Sequence, residues 1–83
     1  MMKIYEVTEY ITEGSVENAS GIFSSLKNAR QATLDRIAEV YTDEEIAEMD
    51  IPDDWEELEV PSNSYAEGCT YVIYTYELDG RIE

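Results

Sequence analysis

The sequence predicts an α+β fold: a small antiparallel sheet of three to four strands, with one long amphipathic helix packed on one face and a short second acidic helix. Three observations carry this. Strand-like alternation marks residues 3–12 and 69–78, near the two ends of the chain. A helical period fills 26–41 between them, and the residues from Thr42 to Glu45 spell a helix start. Strand runs around a helical block are the pattern of a sheet with helices on one side. At 83 residues the chain forms one domain, 1–83, with enough length for a modest core and none for a second.

Taken in order, Lys3 to Thr12 puts Tyr5, Val7 and Ile11 on one face and Glu6, Thr8 and Thr12 on the other. Glu13-Gly14-Ser15 reads as a turn, and Ala19 to Phe23 as a strand pairing back in a hairpin, with Gly21 hinting at a bulge or a close backbone approach. Ser24 or Ser25 N-caps the long helix, whose apolar positions run from Leu26 through Leu34 and Ile37 to Tyr41. Arg30 projects into the apolar half, where it must snorkel out or meet a carboxylate. Thr42-Asp43-Glu44-Glu45 is a capping box, with Tyr41 and Ile46 placed for a hydrophobic staple, so a second helix runs from Asp43 to about Met49. Pro52 ends it, a turn follows at Asp53-Asp54, and Glu56 to Val60 is the next strand. Pro61 to Gly68 is a loop by composition. Cys69 to Leu78 has apolar or aromatic residues on both faces, which suits the middle of a sheet or a subunit contact. Asp79-Gly80 is a turn before a short tail or edge.

Charge singles out one stretch. Residues 42–60 carry ten carboxylates and no Lys or Arg, half of the chain's 20 acids. Net charge is −15, yet 43 % of residues are hydrophobic and seven are Tyr, so the chain is too apolar for intrinsic disorder. Direct binding to nucleic acid or to an anionic membrane is excluded, because phosphate contacts rest on Lys and Arg. No apolar run approaches the ~20 residues of a membrane span. The N-terminus has no apolar signal core, and the lone Cys69 permits no internal disulfide, so a cytoplasmic protein is expected.

Catalysis finds little footing. There is no His, Cys69 has no neighbouring cation, and neither a GxSxG elbow nor a Gly-rich phosphate loop occurs. Exposed carboxylates lack the cleft that separates two pKa values. Asp50, Asp53 and Asp54 lack the alternation and glycine of a calcium loop. No enzyme activity, cofactor or dedicated metal site is expected.

The acidic run is instead read as nucleic-acid mimicry. Duplex DNA carries about one charge per ~1.7 Å of axis. Glu44 and Glu48, one helical turn apart, would sit roughly 5–6 Å from each other at Cβ, and Glu57 and Glu59 about 7 Å apart on one strand face. The candidate contact residues are Asp43, Glu44, Glu45, Glu48, Asp50, Asp53, Asp54, Glu56, Glu57 and Glu59, with Trp55 either a central anchor or ordinary core. The expected partner is a basic DNA- or RNA-binding protein or nucleoprotein complex, met by a monomer or homodimer of this chain. The alternative is a homo-oligomeric accessory protein, joined through its Tyr-rich final strand, whose acidity reflects only solubility or salt adaptation.

In size, acidity and layout, the run TDEEIAEMDIPDDWEELE and the frame around GIFSSLKNARQA resemble the small phage-encoded inhibitors of bacterial defence, the anti-CRISPR and DNA-mimicking anti-restriction proteins. The resemblance is one of class and carries no diagnostic motif or functional residue. It implies a phage or mobile-element protein in the bacterial cytoplasm that blocks a nucleoprotein effector without cutting anything.

Overall fold

The computed structural model describes residues 2–11 and 16–78, and the side chains of all of these except 16–20 and 78. The elements follow as β1 (Met2–Ile11), β2 (Val16–Phe23), α1 (Leu26–Ile37), α2 (Asp43–Glu48), β3 (Glu57–Val60) and β4 (Cys69–Leu78). The strands form one antiparallel sheet in the order β2-β1-β4-β3. The expected turns at 13–15 and 79–80 and the final tail lie outside the described residues.

Alternation decides the faces. Val7, Tyr71, Ile73, Leu58 and Val60 point to one side, where Ala29 and Ile37 of α1 complete the core. Val7 and Ile37 are fully buried, each contributing about 1.5–3 kcal/mol by leaving water. Helix α1 crosses β1 and β2, burying Ala29, Thr33 and Ile37 at four-residue spacing. Buried Thr33 satisfies its hydroxyl on the Ala29 carbonyl at 2.9 Å. Ser25 is the N-cap, its Oγ accepting from the Asn28 N–H at 3.1 Å.

The long helix of the sequence reading is shorter in fact. It stops at Ile37 after 12 residues, and i→i+3 bonds from the Glu39 and Val40 amides tighten the turn that follows. That turn drops Tyr41 into the core, with its hydroxyl on the Pro61 carbonyl at 2.5 Å. The capping box then redirects the chain.

Gly21 sits beside a bulge: Val7 faces Gly21 but Thr8 faces Ala19, leaving Ser20 as the extra residue. A Cβ on Gly21 would meet the Phe23 ring at 2.9 Å. Strand β4 lies inside the sheet, paired with β1 throughout and with β3 over residues 69–72. The Ile73 N–H also donates to the Glu56 carbonyl at 2.8 Å, so edge-to-edge addition through this strand has only the part beyond Ile73 to use.

Candidate binding surface

The acidic run has a local cause for each part of its course. In α2 the Thr42 hydroxyl accepts from the Glu45 amide at 3.1 Å, and Glu45 Oε1 accepts from the Thr42 amide at 2.8 Å. These contacts, the Thr42 amide foremost, hold the Glu45 carboxyl below its ordinary pKa. Asp43, Glu44 and Glu45 occupy the positive end of this short helix, while Glu48 stands one turn on from Glu44. Asp50 then takes a left-handed conformation, φ 51°, which reverses the chain. Asp53 and Asp54 form the next turn, and Glu56 leads into β3.

Strand β3 splits the run between two sides of the molecule. Leu58 and Val60 point into the core, so Glu57 and Glu59 project from the opposite sheet face. The acids of α2 and the 50–54 turn lie on the helical layer. The expected single array is thus a band that passes around the β3 edge, with Glu57 and Glu59 on its far side. Of the ten acids, nine are exposed and Glu45 is half-buried. The ion pairs among the described residues are Lys3–Glu77 and Arg36–Glu9, so none neutralises the band. Nor do three acids converge to hold a metal ion among the described residues.

Trp55 takes the second of its two expected roles: it is 4 % exposed and belongs to the core. Its indole N–H has no hydrogen-bond partner among the described residues. Arg30 meets a carbonyl rather than a carboxylate, donating from Nε to the Trp55 oxygen at 2.9 Å. This bond ties α1 to the segment that enters β3. It satisfies a backbone acceptor in a stretch with few partners of its own.

Two arrangements escaped the sequence reading. Glu9, between Val7 and Ile11 on the core face, is 8 % exposed. Its Oε2 accepts from the Tyr71 hydroxyl at 2.7 Å and lies 3.5 Å from Arg36 Nε. Burial and this bond to a carboxylate raise the Tyr71 pKa, so the phenol stays protonated and donating. The alternation that named Val7 and Ile11 also marks Glu9, which the sequence reading passed over. Asn63 is the second. Its Oδ1 accepts from the Tyr65 and Ala66 amides, while its Nδ2 donates to the Val40 carbonyl at 2.8 Å and reaches Glu45 Oε2 at 3.5 Å. One side chain fastens the 61–68 loop to the α1–α2 corner. Burial pushes the Cys69 thiol up, away from the thiolate form that nucleophilic chemistry requires.

Compared with protein-family models, curated proteins and solved structures, the chain finds no match in any of the three. No helix among the described residues is long and apolar enough to cross a membrane.

Proposed function

We propose that this is a non-enzymatic binding protein whose acidic band imitates the charge of a nucleic acid and blocks a basic DNA- or RNA-binding protein. The reading rests on one observation: ten carboxylates in residues 42–60, nine exposed, with no ion pair to a described cation. Such an array costs stability. The Glu44–Glu48 pair alone opposes α2 by about 0.2–0.5 kcal/mol. A coat serving solubility would spread its acids over every exposed face, whereas residues 24–41 hold three of the chain's five cations and 42–60 hold none. A nucleoprotein effector of bacterial defence is the partner class that the resemblance suggests.

The test uses Glu44, Glu48, Asp53 and Asp54, which are exposed and hold no structural side-chain bond. Lysine at all four should abolish capture of a basic nucleic-acid-binding protein from nuclease-treated bacterial lysate, leaving the circular dichroism spectrum unchanged. Raising salt should weaken capture by the wild type. Equal capture by the reversed variant removes the proposal.

A further inference from the structure

The sheet has a second face that α1 does not cover. On it lie Ile4, Tyr10, Val72, Tyr74, Tyr76 and Ile22, from three adjacent strands in register. Ile22 is 64 % exposed, Tyr76 47 % and Tyr74 38 %. The Tyr10 and Tyr74 hydroxyls meet at 2.5 Å, on either side of the Thr8–Val72 row, and Thr8 is only 3 % exposed on a side that α1 does not cover. The aromatic surface is therefore arranged in the free chain. Glu6, Glu57 and Glu59 project from the same face by alternation. Among the described cations, Lys3 alternates to the helical side and Lys27, Arg30 and Arg36 belong to α1. Among the described side chains, the face thus combines an apolar, tyrosine-rich centre with three carboxylates and no cation.

We propose that this face docks an amphipathic helix of the basic partner, an inference that rests on the reading above. Apolar residues of that helix would meet Tyr74, Tyr76 and Val72, and its flanking Lys or Arg would meet Glu6, Glu57 and Glu59. On the other face, α1 covers the sheet with such a stripe, Ala29, Thr33 and Ile37. A second copy of this chain is the poorer occupant, since it would bring −15 against −15 and three more carboxylates to the same surface. A bare nucleic acid is repelled for the same reason.

The test titrates the isotope-labelled chain with a synthetic helical peptide of Leu and Lys, about 18 residues or roughly 27 Å long. A control isomer of the same composition has its leucines scattered around the helix. The striped peptide should shift resonances of Ile4, Tyr10, Val72, Tyr74 and Tyr76, and bind about tenfold or more tighter than the isomer. The Tyr74→Ser/Tyr76→Ser variant should lose that difference. Equal binding of both peptides, with shifts confined to α2 and the 50–54 turn, overturns the docking face while leaving the acidic band standing. No binding of either peptide overturns the docking face as well. So does a dimer in light scattering that buries these tyrosines.

Discussion

Glu45 does two jobs inside the fold, closing the capping box on Thr42 and receiving Asn63 from the loop. Because its folded pKa is depressed, its contribution is present above the unfolded value and lost as pH falls through the folded one. Glu45→Gln keeps the acceptor for the Thr42 amide and removes the charge. The stability difference, wild type minus variant, should therefore shrink as pH falls below about 4.3, the ordinary glutamate value. Urea unfolding at several pH values measures it, and a difference that stays constant with pH would contradict the assignment. At this scale the sequence was legible where a side chain acts on its neighbours: the capping box needed only four consecutive residues. It was opaque where partners are distant. Arg30 finds Trp55 25 positions away, and Tyr71 finds Glu9 62 positions away, so no local pattern could pair them.

The elements emerged from periodicity with their types intact, including β4 over its full 69–78 span. Their ends were less legible. Nothing in Ala38-Glu39-Val40 resembles a stop signal, and α1 ends because Tyr41 has a core position to fill. Of the two readings of Gly21, a bulge or a close backbone approach, the sheet shows the bulge, and what lies against Gly21 is the Phe23 ring rather than another backbone. Gly21→Ala should displace Phe23, which packs against the core, at a cost of about 1–3 kcal/mol. A lowered urea midpoint with unchanged slope is expected. An unaltered midpoint would mean that neither the ring nor the backbone, at φ 156°, resists a side chain there. Which acids share a surface was legible only in part. Alternation puts Glu57 and Glu59 together, but their separation from α2 follows from β3 occupying the sheet edge beside β4.

As a whole the molecule is a sheet with one helical layer, its described cations lying on α1 and at Lys3 and the acids of residues 42–60 dividing around the β3 edge. One side of the sheet is closed by α1 and the other presents tyrosines. Both the band and the tyrosine face suit a cationic partner, and neither holds a described cation to pair with phosphate. Competition with nucleic acid is read most directly by displacement. A basic partner recovered by capture is loaded with fluorescently labelled DNA or RNA, and this chain is titrated in while anisotropy is read. Release of the nucleic acid is expected near one chain per binding site, with no release by the variant carrying lysine at Glu44, Glu48, Asp53 and Asp54. Simultaneous binding of chain and nucleic acid, or equal release by that variant, would contradict it.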